Sequence, residues 1–397
     1  MRYTRKHDPS AAAHNALSSP SFAAAPATPE VDLQLRVLRG ELAPWPRDAT
    51  PGFERRFLDA CVDAGVAPLL HDALSSSGGG GDWPACVGVA LGRAARMESA
   101  ADMLQERELV AVLAALAEAG VPSILLKGAA LAYTHYPEPA LRTRCDSDVL
   151  IRPADLELAR QALEGLGYER RHGVTGSLVS YEECHIKPHG GLHHVVDLHW
   201  RVNNRQVFAQ ALPWDDAYAR SVPVPRLSPF ARALCPPHAL LLACMHRAAH
   251  LSADGPEGDR LIWRFDIHLL AKAMAVGEWG EFVELCVAKK VRNIGMAALT
   301  ATREAFATPI PVDVSEALWK ESSGELSASY LHGNRPRLFL TNLRALATWR
   351  LRATLMRESL FPPAAYVLEK YSSHARWMLP WWYARRAAEG VWKMSRS

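Results

Sequence analysis

Three aspartates carry the clearest chemical suggestion in this chain. Asp146 and Asp148 stand two apart in the segment RCDSDVLI, and Asp197 sits in VVDLHW. In an extended strand, residues two apart point to the same side. Asp146 and Asp148 therefore project together, and neighbouring carboxylates repel unless a positive charge lies between them. A divalent cation meets that need, because Mg²⁺ takes one or two carboxylates together with substrate phosphates. Asp197 comes from a separate apolar run and is flanked by Val195, Val196 and Leu198. A carboxylate on such a strand needs a partner, either as a third metal ligand or as a base for an attacking hydroxyl. The plainer alternative is turn or capping chemistry around Ser147, since D-x-D dipeptides are common.

Other side chains fit around these three. Lys127-Gly128 falls where a strand ends and a helix begins, a place where backbone N–H groups hold phosphate. Lys127 adds a point charge, and Arg142 and Arg144, just before the aspartates, are further phosphate candidates. The competing reading of Lys127-Gly128 is an ordinary strand-to-helix turn. His199 shares a face with Asp197 in a regular strand and so lines the same site.

These residues must be positioned by an alternation of strand and helix that occurs only in about 121–205. Val121–Leu126 reads as a buried strand and Ala129–Tyr136 as a short helix. Asp148–Ile151 reads as a second strand and Pro153–Gly167 as an amphipathic helix, with Pro153 early and glycine at its end. Tyr168–His172 is a candidate third strand. Gly190-Gly191 marks a turn, and His194–Val202 alternates like a half-buried strand. Flanking this core, 31–120 is helical, with the 84–120 stretch reading as a long helix stopped by Gly120. Residues 206–397 are mostly helical, and residues 1–30, rich in Ala, Ser and Pro, read as a disordered leader.

Histidine offers weaker signals. His185, His189, His193, His194 and His199 cluster, but Pro188 and the Gly190-Gly191 turn break any regular zinc-ligand spacing. His246 and His250 lie one turn apart on a leucine-rich helix with no third ligand in view, which favours core histidines. Asp266, in WRFDIHLL, is expected to pair with an arginine such as Arg247.

Charge is unevenly spread. The total is only +3, yet residues 335–397 carry 12 Lys+Arg and 3 Asp+Glu, a net of +9, which leaves −6 for the rest. The tail also holds Trp377, Trp381, Trp382 and Trp392. Arginine with tryptophan suits a membrane interface or stacked nucleic acid. The favoured alternative is a terminal helical hairpin that packs by its aromatics and leaves its arginines in water. No apolar run is long enough to span a bilayer, and no secretory leader is expected. Seven scattered cysteines without a C-x-x-C suit reduced thiols in a cytoplasm.

The string ILLKGAALAYTHYPEPALRTRCDSDVLIRPADLELARQALEGLGYE resembles the core of an uncharacterised bacterial nucleotidyltransferase family in the polymerase β superfamily. Leu126-Lys127-Gly128, Arg144, Asp146, Asp148 and Gly167-Tyr168 occupy the motif places, and Asp197, His199 and Trp200 match a D-x-H-W strand. His246, Trp263 and Asp266 match a later helical segment, so that the likeness runs over about 85–390, tail included. It implies an α+β fold: a small mixed polymerase β-like sheet embedded in helical regions. It also implies transfer of a nucleoside monophosphate, with AMP from ATP as the leading case, to a hydroxyl on a small molecule, peptide or protein. An accessory biosynthetic role fits that family. Asp146, Asp148 and Asp197 would hold two Mg²⁺ ions, with Mn²⁺ as a substitute, and Asp197 would help deprotonate the acceptor. Lys127, Gly128, Arg144 and His199 would contact the nucleotide. No helix-hairpin-helix glycine pattern precedes the core, so DNA is not an expected partner. The alternatives are an inactive nucleotide-binding scaffold, or a nucleic-acid or membrane-surface binder working through the basic tail.

Overall fold

The computed structural model describes residues 28–41, 43–78, 81–254, 258–320, 324–373 and 375–395. The leader expected over 1–30 lies mostly outside these residues. Its last part is already structured, because Thr28 caps the first helix through its side-chain oxygen, which accepts from the Val31 amide at 3.4 Å.

The N-terminal region holds α1 (Pro29–Leu38), α2 (Phe53–Ala64), α3 (Ala67–Ser77) and the long α4 (Ala85–Glu118). Then come β1 (Ser123–Leu125), α5 (Lys127–Thr134), β2 (Ser147–Ile151), α6 (Leu156–Gly165), β3 (Glu169–Arg170), β4 (Glu182–His189) and β5 (Leu192–His199). After α7 (Trp214–Ala219), β6 (Val222–Pro223) and β7 (Arg232–Ala233), the chain is helical. It runs through α8 (Pro236–Asp254), α9 (Leu261–Ala273), α10 (Val276–Ala288), α11 (Arg292–Phe306) and α12 (Val312–Trp319). It ends with α13 (Ser329–His332), α14 (Arg335–Ala345), α15 (Trp349–Leu360), α16 (Ala364–Lys370) and α17 (Leu379–Ser395).

The strands form one mixed sheet in the order β3-β4-β5-β2-β1-β7-β6. β2 runs parallel to β5 and antiparallel to β1. This is the expected α+β class, but the sheet does not close at residue 205. β7 adds to β1 in parallel and β6 pairs with β7, so part of the supposed helical region belongs to the sheet. Two-residue strands are too short to show an alternation in sequence. β4 was also hidden, because its buried positions are Glu183 and His185 rather than apolar residues. It joins β5 through Gly190-Gly191, both at positive φ (62° and 81°), as a two-residue hairpin turn demands.

The two faces of the sheet bury different cores. Leu125, Val149, Ile151, Val196 and Leu198 pack into a cluster with α4 and α6, through Leu113, Leu116, Ala159 and Leu163. Ile124, Leu126 and Leu150 face a larger cluster with Phe57 of α2, Leu70 of α3 and Leu240 and Leu241 of α8. In the tail, Trp382 stacks on Tyr371 with ring centres 4.7 Å apart. Trp377, Trp381 and Trp392 stay largely exposed, so the hairpin packs by only part of its aromatic set. No helix among the described residues is long and apolar enough to cross a membrane.

Candidate active site

The period of two in β2 and β5 decides which side chains meet. Val149 and Ile151, like Val196 and Leu198, point into the smaller core. Asp148 and, on β5, Asp197 and His199 therefore take the opposite face. The parallel register sets Asp148 directly beside Asp197. Asp146, just ahead of β2, joins them. All of these line one cavity of about 1140 Å³, together with Lys127, Gly128, Arg142 and Arg144.

The three carboxylates are treated differently. Lys127 Nζ donates to Asp148 Oδ1 at 2.6 Å, and His199 Nε2 donates to the same oxygen at 2.7 Å. Burial alone would raise the Asp148 carboxyl, but the Lys127 ammonium and the His199 bond outweigh it and hold it well below its ordinary value. Asp197 has no ion pair among the described residues, and burial followed by repulsion from Asp148 pushes it up to about 6. Asp146 is raised for the same two reasons. Cys184, opposite Asp197 in the register, has a thiol pushed up to about 12 by burial and by that carboxylate. Two carboxylates thus face the cavity short of positive charge.

Lys127 reaches Asp148 because β1 ends abruptly. The Leu126 amide donates to the Asp148 carbonyl at 3.0 Å, and the next residue turns into α5. Lys127 takes φ +48°, a left-handed conformation that costs a non-glycine residue on the order of 1 kcal/mol. Gly128 lies against the Arg142 guanidinium. A Cβ there would meet three of its atoms at 3.2 Å, which is the visible requirement for glycine.

Several side chains assigned from sequence are engaged elsewhere. Arg142 makes a two-pronged pair with Asp266, both contacts at 2.8 Å, and the Tyr136 hydroxyl adds a third bond at 2.7 Å. Asp266 thus has the arginine partner expected of it, though that partner is Arg142 rather than Arg247, and Arg142 is engaged by a carboxylate at the cavity edge. Arg247 instead grips Asp259 with both contacts at 2.7 Å. The Arg144 guanidinium is buried, paired with Asp102 at 2.6 Å and donating to the Tyr133 hydroxyl at 3.0 Å, while its carbonyl takes a bond from Gln105 of α4 at 3.1 Å. His246 lines the cavity within an aromatic group, 4.5 Å from His250 and 5.0 Å from Trp263 between ring centres. Burial and the nearby Lys127 ammonium keep it neutral. Of the other histidines, His185 is fully buried and His194 nearly so. Among the described residues no group of three or more His, Cys, Asp or Glu stands in metal-ligand geometry.

Three contributors escaped the sequence reading. Glu182 of β4, in register with His199, places a carboxylate oxygen 3.3 Å from its Nδ1. Arg260 lines the cavity from the start of α9. Glu358 of α15 accepts from the amides of Ser177, Leu178 and Val179 and from the Ser177 hydroxyl, at 2.8–3.1 Å. That fixes the segment whose Val179 and Ser180 form one cavity wall. An acidic residue in a basic tail gave no hint of this. The only available signal was Gly176, where a Cβ would fall 2.4 Å from the Glu358 carboxylate.

No curated protein and no solved structure matches the chain. Residues 54–307, more than half of it, match a family described as an uncharacterised nucleotidyltransferase. The match begins earlier than the expected 85 and stops before α12, so the basic tail lies outside it. With its three aspartates lining one cavity and residues 54–307 matched, this protein belongs to the uncharacterised nucleotidyltransferase family and is a transferase whose substrate is a nucleoside triphosphate.

Proposed function

We propose that the protein moves a nucleoside monophosphate, AMP from ATP as the leading case, to a hydroxyl of a small molecule, peptide or protein. The observation that carries this is the set of Asp146, Asp148 and Asp197 on one sheet face, opening on a cavity, with two of the three lacking a protein cation. Carboxylate oxygens are hard donors that suit Mg²⁺ or Mn²⁺, and Asp146, Asp148 and Asp197, which line the cavity without standing in ligand geometry while Lys127 holds Asp148, are the residues that would draw together around such ions. A divalent ion bound there supplies neutralisation of the triphosphate charge.

The chain's own residues then divide the work. Asp197, a carboxylate on the cavity face beside Asp148, is placed to accept the proton of the acceptor hydroxyl. The hydroxyl oxygen forms its bond to the α-phosphorus as the bond to the β-phosphate bridging oxygen breaks, and pyrophosphate leaves with that electron pair. His199 holds Asp148 in place from one side and Lys127 from the other. Positioning of this kind accounts for most of phosphoryl-transfer catalysis.

A second reading is favoured by one contact. Lys127 sits on Asp148 where a cation would bind, which suits a protein that holds nucleotide without transferring it. Cell extract incubated with the protein and ATP and examined by mass spectrometry separates the two. A product heavier by one AMP, absent with Asp146→Ala or Asp148→Ala, supports transfer. ATP binding with no such product supports the holding role.

A further inference from the structure

The cations around the cavity are of two kinds. Lys127, Arg142 and Arg144 each bind a buried carboxylate, at 2.6 Å, 2.8 Å and 2.6 Å. A phosphate drawn to any of them competes with an aspartate that the fold holds in place. Arg260 and Arg205 also line the cavity, and neither has a carboxylate partner among the described residues. A polyphosphate entering a cavity with three aspartates needs facing positive charge, and these two guanidinium groups are where it remains available.

Arg260 is already placed for that use. Its Nε donates to the Asp63 carbonyl at 2.9 Å, and its guanidinium carbon lies 5.7 Å from the Trp263 ring centre. Its Nη2 crowds Gly65, where a Cβ would be 2.8 Å from that nitrogen and 2.9 Å from Thr143 Oγ1. The guanidinium and Thr143, just upstream of Asp146, thus press on the same glycine. A carbonyl and a ring fix the side chain without neutralising it, and the remaining N–H groups of its fork stay available.

We infer that Arg260 is the principal polyphosphate-binding cation of this cavity, with Arg205, on the segment after β5, as its second. The ligand class is a polyphosphate, free or as the tail of a nucleoside triphosphate. The nucleotide form of the inference rests on the transfer reading above.

Calorimetric titration of the full chain in Mg²⁺ buffer tests it, with inorganic tripolyphosphate, ATP and AMP as probes. Arg260→Gln keeps a donor for the Asp63 carbonyl and drops the charge, and Arg260→Lys keeps the charge. Melting curves check that each variant folds. Arg260→Gln is expected to weaken tripolyphosphate and ATP by about tenfold or more while changing AMP by less than about twofold. Arg260→Lys should recover most of the loss, and Arg205→Gln should show a smaller loss of the same kind. Tripolyphosphate bound by Arg260→Gln as tightly as by wild type overturns the inference, as does a loss of AMP equal to that of ATP. If wild type takes tripolyphosphate through Arg260 but no nucleoside triphosphate, the anion site stands and the transfer reading falls. If ATP binds equally to wild type and both glutamine variants, the inference falls and the transfer reading stands. If wild type binds none of the probes, both fall.

Discussion

Asp266 and Asp197 are both carboxylates set into apolar elements, and the chain surrounds them in opposite ways. Asp266 receives a two-pronged arginine and a tyrosine hydroxyl, and its side chain is 6% exposed. Asp197 receives only the weak contact of a thiol, faces a cavity, and sits beside another carboxylate. A fold that can build the first arrangement has the means to build the second the same way. The difference marks Asp266 as architecture and Asp197 as a group whose partner comes from outside.

Removing Asp266 tests the architectural side and should have the largest effect. Asp266→Ala leaves the Arg142 guanidinium buried and unpaired behind Gly128, at a cost of about 3–5 kcal/mol. Chemical denaturation should show this as a shifted midpoint, and an unchanged midpoint would erase the contrast. Next comes the site itself. Asp148→Asn should lower transfer roughly 10²–10³-fold with the fold intact, judged by circular dichroism beside the rate measurement.

Asp197→Asn sharpens the contrast, because its predicted effect on stability is opposite in sign to that of Asp266→Ala. The folded Asp197 carboxyl lies at about 6, above the ordinary 3.8, so the folded state binds the proton more tightly than the unfolded chain does. Stability is therefore lost as pH rises from about 4 to 6, and the full penalty stands above that range. In divalent-free buffer near neutral pH the asparagine variant should melt a few degrees above wild type. That advantage should vanish near pH 4, and a difference independent of pH would contradict the assignment. The smallest effect is expected from Glu358→Gln, which loses charge while keeping one acceptor. Opening of the 177–179 amides should become easier by about 1 kcal/mol, seen as roughly fivefold faster hydrogen exchange there.

The sequence disclosed elements whose pattern repeats and concealed whatever depends on a distant partner. β1, β2 and β5 were legible because their apolar runs are bounded by glycine, proline or charge, and the three aspartates stood out against those runs. β4 was not, because Glu183 and His185 face inward, with Glu183 met by Arg160 of α6 at 2.9 Å. The carboxylate partners of Arg142 and Arg144 were hidden for a related reason. A basic residue beside two aspartates looks available in sequence, but Asp266 and Asp102 arrive from remote helices. Arg260 was overlooked because nothing local distinguishes an arginine left without an acid.

The grip of Glu358 on residues 177–179 also joins two parts of the chain that sequence and family match hold apart. Its carboxyl is drawn below its ordinary value, the amide bonds outweighing burial, so the contact is strongest with the group ionised. Coupling of this kind is reciprocal. Whatever steadies the cavity wall also steadies the seating of α15, and whatever displaces α15 is felt at the wall. The tail thereby contributes to the cavity wall, and the seating of α15 and the order of residues 177–179 depend on the same carboxylate.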